Sequence, residues 1–513
     1  MNLADLTRFW GKTRSAQQAI VFGDTAQTWA EVDAITDALA RGLAARGVCK
    51  GDRVAVMMLN RPELAHVILA TLKLGAISVP LNFRLTAREL APMVVDSAPR
   101  VVVIEDEFSP LLEVAATQTD FEIFAIGGSA HPSYDVLIDP GTAPDVAIDA
   151  DDPGFICYTS GTTGVQKGAL ITHRNAMTPG LSQTLTFGFS SADRVLCSAP
   201  LVYTGSVLSI FMQLVVVPGA TMVLLREYDP QIALDTLERE QITATTTVPV
   251  IWERMTTLPG FDGRKLADFT FAGTGGAPVS ADLLDFYRSH NIPLTQCYGL
   301  TEASGMVTTL QYEDARSRPG FAGLPMVGTH VRIGDPGVNT PSGDVGEILV
   351  RGEHVLREYW RKPEATASTL VDGWLRTGDL GLKDDDGFLK IVDRSKDMLI
   401  SGGLNVYPAE IENALHGIEG LVDLAVIGVH DDRWGEVPMV VFHSDRSADD
   451  IVADIAKVAG EHLAKFKQPK HAVALDEPLP RTFSGKLAKP KLRQRFPSVP
   501  GEALAVQGAP TQA

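Results

Sequence analysis

The chain has 513 residues, too many for a single hydrophobic core, so two or more domains are expected. A hydrophobic content of 45% with 21% charged residues is that of a globular protein. Asp and Glu number 63 against 45 Lys and Arg, a net charge of −18, which argues against a nucleic-acid binder built on clustered cations and requires any anionic ligand to be met by local positive groups.

Cys49, Cys157, Cys197 and Cys297 form no CxxC pair, so neither a zinc site nor a redox pair is signalled, and their spacing suits buried thiols in a reducing cytosol. Residues 1–11 carry Asp5 and Arg8 and no apolar run, so no secretory signal is expected there. No run reaches the length of a membrane span, the apolar stretch 214–219 reads as core, and Thr511-Gln512-Ala513 is not a peroxisomal address. A cytoplasmic protein is expected.

Residues 28–47 read as a helix, with Trp29, Val32, Ile35, Ala38, Leu39 and Leu43 at helical spacing. A turn at Lys50-Gly51-Asp52 leads to a strand at 54–59, a helix at 62–74, and strands at 76–80 and 101–104. This alternation predicts a parallel sheet with helices on its faces. The segment 129–153, rich in Asp, Pro and Gly, reads as surface loop. A strand at 154–158 then delivers Tyr158-Thr159-Ser160-Gly161-Thr162-Thr163-Gly164-Val165-Gln166-Lys167-Gly168. Glycines let the backbone turn, consecutive amides form an anion-binding nest, and four hydroxyls and Lys167 add donors and charge. This is chemistry for a polyphosphate. It is not a Walker A loop, because Gln166 precedes the lysine and Gly168 follows it. The bland alternative is a polar surface turn.

A strand at 194–199 ends at Pro200-Leu201-Val202-Tyr203-Thr204-Gly205. An apolar helix at 206–216, strands at 221–225 and 243–248 and a helix at 230–240 predict a second, similar sheet. Phe271 to Thr274 run as a strand into Gly275-Gly276-Ala277-Pro278, with Ser280 as N-cap of the next helix. Gln296-Cys297-Tyr298-Gly299-Leu300-Thr301-Glu302 is a strand with a polar tip. Residues 331–350 suggest a small antiparallel unit. Asp384-Asp385-Asp386-Gly387 reads as a solvated hairpin turn before a strand at 388–392. Polarity rises at Asp393-Arg394-Ser395-Lys396-Asp397, where a domain boundary is expected. Pro408 opens a helix, 421–429 is a strand, and 449–466 is an amphipathic helix carrying Ile451, Ile455, Val458, Leu463 and Phe466. The motif at 479–486 ends in Lys486, and the tail has little to bury. No solenoid repeat is present.

Seven strings, in order, resemble the signatures of the adenylate-forming superfamily of acyl-CoA synthetases, adenylation domains and beetle luciferases: YTSGTTGVQKG, GGAP, YGLTE, TGD, DRSKDM, SGGLNVYPAEIE and PRTFSGK. The resemblance covers roughly residues 28–495. It implies an α/β fold: a large N-terminal domain (1–392) of stacked, mostly parallel sheets with helices plus a small antiparallel unit, a hinge (393–396), a small mobile α+β C-terminal domain (397–497) and a loose tail (498–513). It implies ATP, Mg2+ and CoA as reactants or cofactors, and a two-step reaction. A carboxylate attacks the α-phosphate of ATP to give acyl-AMP and pyrophosphate, and a thiol then displaces AMP.

The resemblance also implies roles. Lys486 bridges carboxylate and phosphate, Glu302 is the magnesium ligand and Thr301 touches the α-phosphate. Thr159, Ser160, Gly161, Thr162, Thr163, Gly164 and Lys167 hold phosphates. Gly275, Gly276, Ala277, Pro278, Tyr298 and Gly299 frame the adenine, and Asp379 and Arg394 take the ribose. Lys396 is the hinge residue, about which the small domain rotates between half-reactions. Gly403 lets pantetheine pass. The acyl pocket is expected to include Tyr203, Thr204, Gly205, Val248, Trp252, Thr274 and Leu300. Where many members carry a His, this chain has Tyr203. The pocket segments hold no clear Arg or Lys for a second carboxylate and no Asp for an amino group. A medium- or long-chain fatty or an aromatic monocarboxylate is therefore expected, in fatty acid metabolism or a related route. Trp434-Gly435-Glu436 also matches and reads as packing. The alternatives are an acyl-AMP ligase serving a carrier protein, and a non-catalytic acyl or nucleotide sensor. A homodimer is a candidate assembly.

Overall fold

The computed structural model describes the chain apart from residues 129, 160–165, 262–263, 277–278, 336, 338–339, 482–486 and 507–513. Two units divide it: Met1–Arg332 with Leu349–Thr377 and Gly387–Leu389, and Ile333–Ile348 with Gly378–Asp386 and Lys390–Ala513. In the segment expected to form a small antiparallel unit, His330–Ile333 and Gly346–Arg351 are neighbouring strands of one sheet, and the division runs through both.

The first unit holds two large sheets. In one, Pro153–Thr159, Ile77–Pro80, Arg53–Met57, Val101–Glu105 and Glu122–Ile126 lie parallel in that order. Lys167–Thr172 folds back antiparallel on Pro153–Thr159, and the short strand Glu358–Tyr359 completes that edge. In the other, Leu294–Leu300, Phe271–Gly275, Ala244–Thr247, Arg194–Cys197, Thr221–Leu224 and Gln18–Phe22 are parallel neighbours, with antiparallel strands at both edges. Val54–Met57 and Val101–Ile104 are apolar and fully buried, as strands of a sheet covered on both faces require.

Local chemistry sets the helix starts. Thr28 accepts from the Glu31 amide, and Glu31 reaches back, so the helix Trp29–Ala45 opens in a capping box. Pro62–Lys73 packs on it. Its Lys73 is fully buried and reaches Asp33 at 2.5 Å and Asp37 at 2.6 Å. A helix unread in the sequence, Leu3–Thr13, is capped by Asn2, and the Leu3 amide donates to His173 Nδ1 at 3.3 Å.

The second unit is built on Gly435–Ser444, paired with Leu421–Asp431 on one side and His471–Ala474 on the other. Alternation along that strand feeds two cores. Val440 and Phe442 meet Ile451 and Ile455, while Met439 and Val441 meet Leu492 and Phe496.

Four expectations need correction. The apolar segment after Tyr203 is a π-helix, Gly205–Val216, whose i→i+5 bonding includes Val217 N to Met212 O. The helix expected to reach Phe466 ends at His462, where Leu463 turns extended and Gln468 Nε2 caps the Leu463 carbonyl. The tail does not begin loose: Leu504–Ala505 pairs with His471–Ala474 and Val506 is buried, because these apolar residues complete the sheet and its core. Cys49 is exposed, its thiol donating to Asp52, whereas Cys157 and Cys197 are buried as expected.

Candidate active site

The phosphate-loop string forms the connection of a β-hairpin. Thr159 and Lys167 face each other as the last paired residues of Pro153–Thr159 and Lys167–Thr172. The loop thus leads from strand to strand, whereas a Walker A loop opens a helix. Ser160, Gly161, Thr162, Thr163 and Gly164 lie outside the described residues. Tyr158 anchors the incoming strand, its hydroxyl donating to Asp96 at 2.8 Å.

Glu302 meets this hairpin. It sits in the short turn Thr301–Ala303, which follows Leu294–Leu300. Its Oε1 accepts from the Thr159 hydroxyl at 3.2 Å and from the Tyr359 hydroxyl at 2.9 Å. Burial first, and then the charge of Glu302, push the Tyr359 phenol well above its ordinary value, so it stays protonated as a donor. The Lys167 ammonium lies 5.2 Å from the Tyr359 ring centroid. Thr159, Lys167 and Glu302, expected from sequence, are thus brought together around Tyr359, which sequence reasoning missed.

The π-helix supports the turn after Glu302. Gln213, fully buried, donates from Nε2 to the Ser304 carbonyl at 2.5 Å and accepts from Gln183 Nε2 at 2.9 Å. Ser304 has φ +53 and Gly305 φ +125. A Cβ on Gly305 would stand 2.7 Å from Ser209 Oγ and 3.2 Å from the Gln213 amide, so only glycine admits this approach. Two of the proposed nucleotide glycines also have backbone reasons: a Cβ on Gly275 would meet the Cys297 carbonyl at 2.4 Å, and one on Gly299 would meet the Gly305 carbonyl at 2.0 Å. Tyr298 is buried, Gly276 takes φ +83, and Ala277 and Pro278 lie outside the described residues.

Among the acyl-pocket candidates, Tyr203 is half-buried. Burial raises its phenol pKa, while the charge and hydrogen bond of Arg84 lower it. Sequence reasoning passed over Arg84, which brings a cation to the pocket segments. Thr204 stands beside the buried Cys157: burial pushes that thiol up to about 12, the Thr204 hydroxyl pulls against the shift, and Glu302 adds to it. Trp252 is fully buried in the core, donating to the Gly273 carbonyl at 3.1 Å and packed edge-on to Tyr287. Thr274 is fully buried, Val248 leads into helix Pro249–Thr256, Gly205 begins the π-helix and Leu300 pairs with Gly305.

The remaining candidates lie in the second unit. Asp379 and Arg394 approach at 3.4 Å. Arg394 opens a turn in which Asp397 N donates to Arg394 O. Burial, then the Arg394 charge, lower the pKa of Lys396. Asp397 accepts from Arg493 at 2.8 Å, and the buried Lys489 pairs with the half-buried Glu412 at 2.8 Å. Lys486 lies outside the described residues, but Arg481 and Leu487 form a bridge at either end of that segment, and Arg481 is held by Asp423 at 2.7 Å. Gly403 has φ +83, and a Cβ there would find open space. Its neighbour Gly402 is the crowded one, with the Trp434 ring 2.7 Å from its Cβ position, so Trp434 packs over this turn as expected.

The donor set suits magnesium bound through a nucleotide. Mg2+ takes one or two carboxylates and otherwise phosphate and water oxygens. Glu302 offers one oriented carboxylate, and among the described residues no group of three His, Cys, Asp or Glu forms a metal cage. Also among them, no helix is long and apolar enough to cross a membrane.

Comparison with known proteins agrees with this geometry. Residues 7–360 match the AMP-binding enzyme family and residues 410–486 the AMP-binding enzyme C-terminal domain. The chain is 37% identical to a feruloyl-CoA synthase of Amycolatopsis sp over 487 residues, 93% of this chain and 96% of that protein. It is 35% identical to a long-chain-fatty-acid–CoA ligase of Mycobacterium tuberculosis, over 92% of this chain and 94% of the other. ATP-bound MatB from Rhodopseudomonas palustris superposes with a TM-score of 0.86 at 31% identity, covering 97% and 99% of the two chains. The o-succinylbenzoate CoA synthetase of Bacillus subtilis, bound to its acyl-adenylate intermediate, gives 0.85 at 28% identity, covering 95% and 97%. Sequence strings, fold and relatives converge, and the chain belongs to the AMP-binding enzyme family.

Proposed function

We infer that this enzyme is an AMP-forming acid–CoA ligase acting on a fatty or aromatic monocarboxylate. The observation that carries the reading is the junction of the hairpin with Glu302: a cation, Lys167, at the end of the phosphate-loop string and a carboxylate held by Thr159 and Tyr359. Glu302 would hold magnesium, which when bound would neutralise phosphate charge.

In the first step a carboxylate oxygen bonds to the α-phosphorus and pyrophosphate leaves with the electrons of the broken P–O bond. Lys486 is proposed to bridge the two anions as they meet, offsetting their repulsion. Thr301 and the loop hydroxyls of Ser160, Thr162 and Thr163 orient the phosphates, while Asp379 and Arg394 hold the ribose. In the second step the CoA thiolate attacks the acyl carbonyl and AMP leaves. We assign the hinge to residues 393–396, with rotation about Lys396 exchanging Lys486 for the thiol entry past Gly403. Arg84 at Tyr203 widens the acid class to be tested, because a cation there could accept a second carboxylate. The protein is proposed to act in the cytoplasm; a homodimer is checked by light scattering.

The test is mass spectrometry of protein, Mg-ATP and CoA with a pool of fatty, aromatic and dicarboxylic acids. An acyl-CoA with equimolar AMP is expected, its mass naming the acid. Acyl-AMP that never passes to CoA would shift the acceptor to a carrier protein, and no product from any acid would favour a sensor.

A further inference from the structure

We propose that Tyr359 is a positioning residue for adenylation, holding Lys167 and Glu302 apart and aiming the Glu302 carboxylate at the metal–nucleotide. This rests on the ligase reading above.

The backbone around Tyr359 is fixed from several sides. Tyr359 pairs with Ala169 and Glu358 with Leu170, so this two-residue strand lies along the strand that leaves the phosphate loop. The Trp360 amide donates to the Gly168 carbonyl at 2.7 Å, and the Trp360 indole donates to Asp96 O at 3.0 Å. The Tyr359 amide donates to Thr366 Oγ1 at 3.0 Å. Asp96 also receives the Tyr158 hydroxyl, so the strand before the loop and the residue that follows Tyr359 are tied to the same acidic residue.

That framework places one side chain, itself 7% exposed, between two groups of opposite charge. The ring takes the Lys167 ammonium and the hydroxyl takes Glu302 Oε1. Thr159 donates to the same oxygen, and among the described residues neither donor touches Oε2. Two donors on one oxygen restrict the rotation of the carboxylate and leave the other oxygen without a bond from either of them. Lys167 and Glu302 form no direct ion pair among the described residues. A direct pair would have to break before phosphate and metal could enter; an ammonium on an aromatic face is held more weakly and moves to phosphate readily.

The test uses the full chain with Tyr359→Phe, which keeps the ring, and Tyr359→Leu, which removes ring and hydroxyl. Mn2+ is titrated into protein loaded with a non-hydrolysable ATP analogue and followed by electron paramagnetic resonance. Pyrophosphate release is measured against Mg2+, and thioester formation from supplied acyl-AMP separately. Losing a hydrogen bond to a charged group predicts that Tyr359→Phe weakens Mn2+ uptake by about 10- to 100-fold and raises the Mg2+ needed for adenylation similarly. Its affinity for the analogue in excess metal and its thioester formation should hold. Tyr359→Leu should lose analogue affinity as well. Wild-type Mn2+ uptake by Tyr359→Phe, or equal loss of both half-reactions, would overturn the proposal. Should Tyr359→Phe not fold, Thr159→Val removes the other donor to the same oxygen and must likewise weaken Mn2+ uptake; wild-type uptake would overturn the proposal. If no acid is adenylated by the wild type, the ligase reading fails, while the Mn2+ titration still decides the role of Tyr359.

Discussion

Replacing Gln213 by Leu probes how the turn after Glu302 is held. Gln213 is fully buried in the π-helix and joins two partners, the Ser304 carbonyl at 2.5 Å and the Gln183 amide at 2.9 Å. Leucine fills similar space but leaves both partners unpaired in the interior. Each such group costs about 1–3 kcal/mol, so the pair predicts a loss of about 2–6 kcal/mol. Ser304 sits at φ +53, a region that a non-glycine residue occupies only when its surroundings hold it there. Without Gln213 the turn should relax, and Glu302 with it. Differential scanning fluorimetry should show a melting point several degrees lower, and pyrophosphate release should fall about tenfold or more at limiting Mg2+. The double variant Gln183→Leu/Gln213→Leu should be less destabilised than the sum of its single variants, because only the Ser304 carbonyl is then orphaned. A Gln213→Leu protein with unchanged melting point and unchanged magnesium dependence would refute the argument.

Lys486→Ala should nearly abolish adenylation yet spare thioester formation from supplied acyl-AMP; equal loss in both assays would remove its bridging role. Lys396→Pro should impair one half-reaction more than the other, as a hinge requires, and equal impairment would argue against a hinge there. Burial holds His66, His173 and His354 down to about 4, against an ordinary 6.5. The unfolded chain therefore takes up protons that the folded one refuses. The stability these residues confer is full above pH 6.5 and is lost as pH falls from 6.5 towards 4, at most about 3 kcal/mol per histidine. Melting curves across that window should fall steeply; a flat profile down to pH 4.5 would contradict the burial assignment.

The strings around Thr159, Lys167 and Glu302 were legible because glycine, hydroxyl and charge patterns carry phosphate chemistry in their order. The helices and central strands were legible because Trp29 to Leu43 and Val101 to Ile104 follow simple apolar periods. Tyr359 was not, because a two-residue strand has no period and its meaning lies in pairing with Ala169, far away in the chain. The π-helix was read as an ordinary helix, since a mostly apolar run looks alike at either pitch. Its one signal was Gln213, an amide that must find partners wherever such a helix is buried. Arg84 and Gly402 were missed for a similar reason: a residue's reach to Tyr203 or Trp434 is a tertiary fact. The edge strand Leu504–Ala505 was hidden by its Pro- and Gly-rich surroundings.

The central claim, an acyl-adenylate formed at the Glu302–hairpin junction, is tested most directly with an acid carrying 18O in both carboxylate oxygens. If the carboxylate attacks the α-phosphorus and CoA then displaces AMP, one 18O per turnover must appear in the phosphate of AMP, with the other retained in the acyl-CoA. Unlabelled AMP, or ADP in its place, would contradict the account.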